Sequence, residues 1–199
     1  MEKVMKKALI INAYETYEGI GEGRLNKSLC QIAEETLIQK NYQVKTTTLE
    51  NGYTLDEELA KNIEADLIFV QFPVYWFSAP ALFKKYIDEV YGFAYANGFL
   101  CQGDGRTRSD LSKKYGSGGL KDGAKYMIST TWNAPEDAFN DENQFFDGKN
   151  LDEVLIGMHK TYQFFGMEAL PSFGMYNIFK EDTISDDVAL FKKHVENIF

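Results

Sequence analysis

The chain has 199 residues, of which 44% are hydrophobic and 26% charged, so it can bury one substantial core but hardly two. We therefore expect a single domain over residues 1–199. Lysine and arginine total 21 against 30 aspartates and glutamates, and the formal net charge of -9 disfavours the basic surface that nucleic acids require. DNA and RNA are therefore not expected as partners.

The chain also lacks the sequence signals of membrane, secreted and metal-binding proteins. The longest uncharged stretch, residues 67–83, contains two prolines and polar side chains, which would leave backbone groups unsatisfied in lipid. No apolar run with a cleavage site opens the chain, so we expect a cytoplasmic protein. Cys30 and Cys101 are far apart and only two histidines are present, so neither a disulfide framework nor a metal site is expected.

Short apolar runs alternate with amphipathic segments along the chain. Continuous apolar runs are typical of parallel strands covered on both faces, and apolar residues at the 3.6-residue period predict helices. The predicted strands are residues 7–12, 42–49, 67–71 and 126–131, with a fifth inside 170–178. The predicted helices are residues 25–40, 56–62 with Asp56 as the N-cap, 82–90, 151–165 and 188–198.

Five strands alternating with helices predict a three-layer α/β sandwich, because each parallel crossover needs a helix packed on the sheet. We expect a doubly wound, flavodoxin-like fold with a five-stranded parallel sheet in the order 2-1-3-4-5. Ligands of such sheets bind beyond the carboxyl ends of the strands. The loops that follow Asn12, Gln71 and Thr131 are therefore the expected site.

The first of these loops, residues 13–23, contains three alternating glycines and leads directly into a helix. Glycines let backbone amides and the positive helix N-terminus approach a phosphate, and Arg24, Asn26 and Ser28 add donors in the first turn. The spacing matches neither the dinucleotide-binding pattern nor the ATPase P-loop. On the residues alone, a phosphate site and an ordinary glycine-rich surface turn both stay open.

Aromatic residues dominate the other two loops. Residues 73–80 place three consecutive aromatic residues between two prolines, which favours a stiff turn beside which a flat ring could lie; buried aromatic packing is the alternative. The loop after the fourth strand adds Trp132 and Asn133 at the same edge. This set fits a phosphate and a flat heterocycle better than hydrolysis, for which the G-x-S-x-G nucleophile motif is missing.

The connection over residues 92–125 is longer than an ordinary loop and has no clear periodicity, so we expect an extended functional segment. Residues 103–125 hold six basic and three acidic side chains. This local positive charge could hold an anionic dinucleotide, dock on the acidic surface of a second subunit, or be solvated. These interpretations stay open.

Five sequence strings resemble one known family. They are DGRTR at 104–108, SKKYGSGGL at 112–120, TWNAP at 131–135, QFF at 144–146 and FGME at 165–168. From the first strand to Phe199, the chain resembles the bacterial MdaB-type (modulator of drug activity B) NAD(P)H:quinone oxidoreductases. The resemblance implies a flavodoxin-like homodimer that holds FAD and reduces quinones with NADPH.

The resemblance also implies which residues bind FAD. Carried over position by position, they are Gly21, Glu22, Gly23, Arg24, Leu25, Asn26, Lys27, Ser28, Pro73, Val74, Tyr75, Trp76, Tyr115, Thr131, Trp132, Asn133 and Ala134. We assign phosphate binding to residues 21–28, and Tyr115 is the best candidate for a catalytic proton donor. Ring packing is assigned to Tyr75, Trp76 and Trp132, and polar contacts to Thr131 and Asn133.

Two functions from different classes remain as predictions. The favoured one is an NAD(P)H:quinone oxidoreductase that transfers hydride through FAD by a ping-pong mechanism, with its site at the boundary of a homodimer. NADPH or NADH would be the electron donor, and FMN could replace FAD. The alternative is a flavodoxin-type electron carrier that has no turnover with nicotinamide.

Overall fold

A parallel β-sheet with helices on both faces forms the centre of the molecule. The computed structural model describes residues 5–19, 21–180 and 184–199. The strands are β1 (Lys6–Asn12), β2 (Tyr42–Thr48), β3 (Leu67–Pro73), β4 (Lys125–Thr131), β5 (Glu168–Ala169) and β6 (Phe173–Met175). The helices are α1 (Arg24–Gln39), α2 (Leu55–Glu64), α3 (Ala81–Tyr86), α4 (Gly92–Ala96), α5 (Leu151–Val154), α6 (Ile156–Gln163) and α7 (Ile184–Ile198). A π-helical turn, Ile87–Tyr91, joins α3 to α4.

The strand order confirms the predicted flavodoxin-like fold. The order is β2-β1-β3-β4-β5, and the paired strands are parallel. The edge of the sheet beside β4 differs from the prediction, because two short strands share this position. β5 pairs with the first residues of β4, and β6 pairs with the last residues of β4. The strand predicted within residues 170–178 is confirmed as β6, but the short strand β5 precedes it at the same position of the sheet. Pro171 lies between the two strands and has no N–H with which to continue a ladder, so the prediction of a single fifth strand is wrong.

Two buried clusters, one on each face of the sheet, hold the layers together. On one face, Leu9 and Val70 belong to a cluster with side chains from α2, α3 and α6. On the other face, Ile10 and Phe69 belong to a cluster with side chains from α1 and α7. Successive residues of a strand face opposite sides, so each central strand serves both clusters and is apolar along its length.

Helix boundaries agree with the prediction in part. α1 ends before Asn41, whose φ of 65° takes the chain out of the helix as expected. α2 has Thr54 at its N-cap position, so the prediction of Asp56 as the cap is wrong. The helix predicted over 151–165 is broken at Leu155, where ψ is 18°, into α5 and α6. Among the described residues, no helix is long and apolar enough to cross a membrane.

The long connection lies at the amino end of the sheet, opposite the expected ligand edge. Its first residues form α4, so the irregular segment begins at Asn97 rather than at the predicted Gly92; we call residues 97–124 the arm. Near the end of the arm, Lys121 Nζ donates to the Ala65 carbonyl oxygen, just before β3, at 2.6 Å. The arm is therefore anchored where the strands begin.

Candidate functional site

Backbone hydrogen bonds join the ends of β1, β3 and β4 into one edge of the molecule. The Ala13 amide donates to the Gln71 carbonyl oxygen at 2.8 Å. The Val74 amide donates to the Thr131 carbonyl oxygen at 2.9 Å. The three loops singled out in the sequence therefore begin side by side at the carboxyl edge of the sheet.

Gly23 begins α1 in a conformation that favours glycine. It occupies the N-cap position with φ 69°, and a Cβ there would lie 2.3 Å from the Tyr14 ring. Within the described residues, no side chain caps this helix end, which leaves its first backbone amides without a side-chain acceptor. The turn thus presents backbone donors and the positive end of the helix dipole to an anion.

Two cations flank this helix end. Arg24 is exposed and paired with Glu22 at 3.1 Å, and the Lys27 ammonium lies 5.2 Å from the centre of the Tyr14 ring. The Ser28 hydroxyl donates to the Arg24 carbonyl oxygen at 3.1 Å, so it satisfies the helix backbone one turn further on. The prediction that Ser28 is a donor in the first turn is therefore wrong.

Asn26, the third residue of α1, is 5% exposed, and its side chain is hydrogen-bonded to a residue of the sheet. Its Oδ1 accepts a hydrogen bond from Gln71 Nε2 at 2.8 Å. Gln71 was not predicted from the sequence to be a functional residue. A signal was present, because Gln71 is the one polar side chain in the buried strand LIFVQFP.

Glu50 fixes the first loop in front of α1. Its carboxylate accepts a hydrogen bond from the Thr16 amide at 2.8 Å. Hydrogen bonding from Thr16 favours the ionised form and lowers the pKa of Glu50 below its ordinary value. Tyr14 is 2% exposed, and burial together with the neighbouring Glu50 raises the pKa of its phenol. Neither residue was identified from the sequence.

Trp76 and Phe77 form an exposed, strained turn after β3. Their φ angles are 49° and 64°, and backbone hydrogen bonds between Tyr75 and Ser78 close the turn. Such angles favour glycine or asparagine, so two bulky aromatic residues there carry backbone strain. Trp76 is 91% exposed, and the Phe77 ring lies 5.3 Å from that of Phe145. The alternative of buried packing is thereby excluded for Trp76, whose indole offers a flat apolar face.

Tyr75 joins this turn to the first loop. Its hydroxyl donates to the Glu15 carbonyl oxygen at 3.2 Å, and its ring contacts Tyr17 edge-on with 5.2 Å between centroids. Burial is the main cause that raises the pKa of the Tyr75 phenol. The Glu15 carboxylate in turn accepts the Leu82 amide at 3.1 Å, in the first turn of α3. The first and second loops therefore form one connected surface.

Trp132 lies in the core, contrary to the prediction that it packs against a cofactor ring. It is 2% exposed, its Nε1 donates to the Thr130 hydroxyl at 2.8 Å, and two phenylalanine rings of the following loop stand edge-on to it. Thr131 is 1% exposed, and its hydroxyl has no hydrogen-bond partner among residues 5–19, 21–180 and 184–199. Asn133 is exposed and Ala134 half-buried.

Tyr115 is not brought to this edge. It lies on the arm and is 69% exposed, with its ring 5.6 Å from Phe164 and the Arg106 guanidinium 5.4 Å from its centre. Phe164 comes just before β5, which pairs with the first residues of β4 and so marks the amino end of the sheet. Within one subunit, Tyr115 therefore lies apart from the other predicted site residues, and its role at the site stays a prediction.

The carboxyl edge suits a ligand that combines an anion with a flat ring. The uncapped start of α1 supplies donors to the anion, and the exposed Trp76 supplies a face for the ring. The loops that carry these two features approach each other, since a Cβ on Gly21 would lie 3.9 Å from the Tyr75 hydroxyl. The residues present therefore fit the phosphate and the ring of a flavin nucleotide.

Comparison with known proteins identifies the family. A family model described as flavodoxin-like fold matches residues 6–198. The chain is 36% identical over 181 residues to the NADPH:quinone oxidoreductase MdaB of Haemophilus influenzae, which covers 91% of this chain and 93% of that protein. The chain therefore belongs to the flavodoxin-like family that includes this MdaB oxidoreductase, and the resemblance seen in the sequence strings is confirmed.

Solved structures share the fold. A Klebsiella pneumoniae protein assigned as a quinone reductase superposes with a TM-score of 0.73 and 23% identity, covering 96% of this chain and 84% of that one. The general stress protein 14 of Treponema denticola, solved in complex with FMN, superposes with a TM-score of 0.63 and 17% identity, covering 96% and 98%. At these identities, the similarity concerns the fold alone.

Proposed function

We propose that the protein is a flavin-dependent NAD(P)H:quinone oxidoreductase that holds FAD and takes electrons from NADPH or NADH. The observation that carries the proposal is the joining, at one edge, of the uncapped helix start at Gly23 with the exposed turn at Trp76. These features match the phosphates and the ring of a flavin nucleotide. The name of the H. influenzae relative supports the activity, and the FMN complex of the T. denticola neighbour supports a flavin.

In this proposal the chain binds and orients the reactants. When bound, a flavin would supply the redox chemistry, namely acceptance of a hydride from NAD(P)H and two-electron reduction of a quinone in a ping-pong sequence. Residues 21–28 would hold the phosphates, chiefly through the free amides of residues 24–26 that begin α1, and Arg24 and Lys27 would supply positive charge. Trp76 would pack against the ring of the flavin, and the exposed Asn133 would contact its polar edge.

A homodimer completes this site, because the arm lies at the opposite end of its own subunit. Each subunit exposes one aromatic surface at the carboxyl edge and another on and beside the arm. The first consists of Trp76, Phe77 and Phe145, and the second of Tyr95, Phe99 and Tyr115. In a two-fold dimer, the arm of each subunit would pack against the carboxyl edge of the other. Two equivalent contacts would then form, and the aromatic surfaces of both subunits would be covered. Tyr115 of the partner subunit would then stand beside the flavin as proton donor.

Flavin retention tests the proposal first. The protein is incubated with FAD, freed of unbound flavin by gel filtration, and examined for absorbance at about 450 nm, with circular dichroism reporting the fold. We expect retained flavin that mass spectrometry identifies as FAD. A folded protein that retains no flavin after this incubation, or after a parallel incubation with FMN, would contradict the proposal.

Mixed dimers test the shared site. Tyr115→Ala removes the arm contribution, and Lys27→Glu impairs the phosphate turn. A heterodimer of these two variants contains one site with both changes and one intact site. We expect its quinone reductase activity to exceed that of either variant homodimer. A fully active monomer by light scattering would contradict the dimeric site.

A further inference from the structure

Among the described residues, the side chain of Gln71 makes one hydrogen bond, and its partner is Asn26. The glutamine is 0% exposed in the centre of the sheet, and its Nε2 donates to Asn26 Oδ1 at 2.8 Å. An amide whose oxygen is engaged on one side presents its amino group on another. The contact therefore leaves Asn26 Nδ2, a donor, on the side of the amide that does not face Gln71.

The surroundings of Gln71 give it no other evident reason to be polar. Asn12, Gln71 and Ser129 are aligned in register across β1, β3 and β4, and all three are at most 2% exposed. Within the described parts of the chain, Asn12 Oδ1, Gln71 Oε1 and Ser129 Oγ have no hydrogen-bond partner. A buried acceptor without a partner destabilises the fold. What Gln71 contributes is therefore its donor to Asn26.

We propose that Gln71 is a positioning residue that holds the Asn26 amide with Nδ2 available to a phosphate oxygen of the flavin nucleotide. This inference rests on the proposed flavin site. The buried Gln71 donor fixes which end of the Asn26 amide is free, because an amide oxygen accepts and cannot donate. If Asn26 were reversed, its Oδ1 would face the anion, and repulsion would replace attraction.

Gln71→Glu tests the orientation directly, because the introduced carboxyl changes its hydrogen-bonding role with pH. When ionised it only accepts, so Asn26 must turn its Nδ2 toward the sheet; when protonated it can donate to Oδ1 as Gln71 does. FAD is the probe, since its diphosphate stays ionised across the range. At pH 8 we expect the Kd of the variant to be about tenfold or more above that of the wild type, and to approach it near pH 5.

Two companion variants complete the design. Gln71→Leu is similar in size and cannot donate, so its FAD affinity falls about tenfold at both pH values while the apoprotein stays folded by circular dichroism. Ser129→Ala removes an unpartnered hydroxyl from the same row and should bind FAD like the wild type. If Gln71→Glu does not fold, Gln71→Leu decides the question.

The outcomes separate this inference from the proposed function. If the wild type binds FAD but both Gln71 variants bind equally well at both pH values, the positioning role is overturned and the flavin site stands. An equal loss in Ser129→Ala would also overturn it, because the effect would then be a general one of the buried row. A wild type that binds no FAD overturns both.

Discussion

Gly23→Ala probes how the start of α1 is built. The substitution adds a methyl group where φ is 69° and where the new Cβ would lie 2.3 Å from Tyr14 Cδ2. The left-handed backbone alone costs a non-glycine residue about 1–2 kcal/mol. Displacing the buried Tyr14 ring adds about 1–3 kcal/mol. We therefore expect the free energy of unfolding to fall by about 2–5 kcal/mol.

Two glycines of the same loop separate the backbone effect from the collision. Gly19 has φ 78°, and a Cβ there would meet nothing within 4 Å, so Gly19→Ala carries the backbone cost alone. A Cβ on Gly21 would make an ordinary contact at 3.9 Å, and its φ lies outside the left-handed region. Gly21→Ala should therefore change stability by less than about 0.5 kcal/mol.

Urea unfolding followed by circular dichroism and FAD titration are the assays for the three variants. Gly23→Ala should also weaken FAD binding about tenfold or more, because the amides that begin α1 shift with the N-cap. Gly19→Ala, which lies outside the segment assigned to the phosphates, should bind FAD nearly as the wild type does. A Gly23→Ala protein with the stability of Gly19→Ala and the FAD affinity of the wild type would refute this reasoning.

The remaining predictions concern burial and charge. Trp132→Ala should lower the free energy of unfolding by about 3–5 kcal/mol, because the Trp132 side chain is buried. Trp76→Ala should change the free energy of unfolding by less than about 0.5 kcal/mol but should weaken FAD binding, because the Trp76 side chain is exposed. Similar losses of stability in the two variants would contradict these assigned positions. Folding lowers the pKa of Glu50, so its ionised carboxylate stabilises the fold at pH values above the ordinary pKa of about 4.3. This contribution is lost as the pH falls through the lowered pKa of the folded state. Glu50→Gln should therefore flatten the pH dependence of unfolding below about pH 5, and an unchanged slope would count against the Thr16 contact.

The sheet could be predicted because its signals are local. Each central strand is an apolar run that must be covered on both faces, and right-handed crossovers then leave few strand orders. The divided fifth position and the break at Leu155 could not be anticipated in the same way. Apolar periodicity continues through Leu155, where a single ψ angle of 18° interrupts the helix. At the edge of the sheet, Pro171 is visible in the sequence, but how the chain on either side of it pairs with β4 is decided by the tertiary register.

The placement of a site residue was predicted correctly where it depends on neighbouring residues in the sequence. It was missed where it depends on contacts with residues far away in the sequence. The exposed turn at Trp76 follows from its local sequence between prolines. Trp132 folds inward because Phe139 and Phe146, further along the chain, supply the rings that cover it. Tyr115 could be named by resemblance but not placed, because α3 and α4 return the chain to the amino end before the arm begins.

Reduction and reoxidation of the retained flavin test the central claim most directly. FAD-loaded protein is titrated anaerobically with NADPH, and benzoquinone is then added while absorbance at about 450 nm is followed. We expect the absorbance to be lost in one two-electron step and restored by the quinone, with ping-pong kinetics in steady state. A retained flavin that neither NADPH nor NADH reduces would contradict the oxidoreductase and favour an electron carrier.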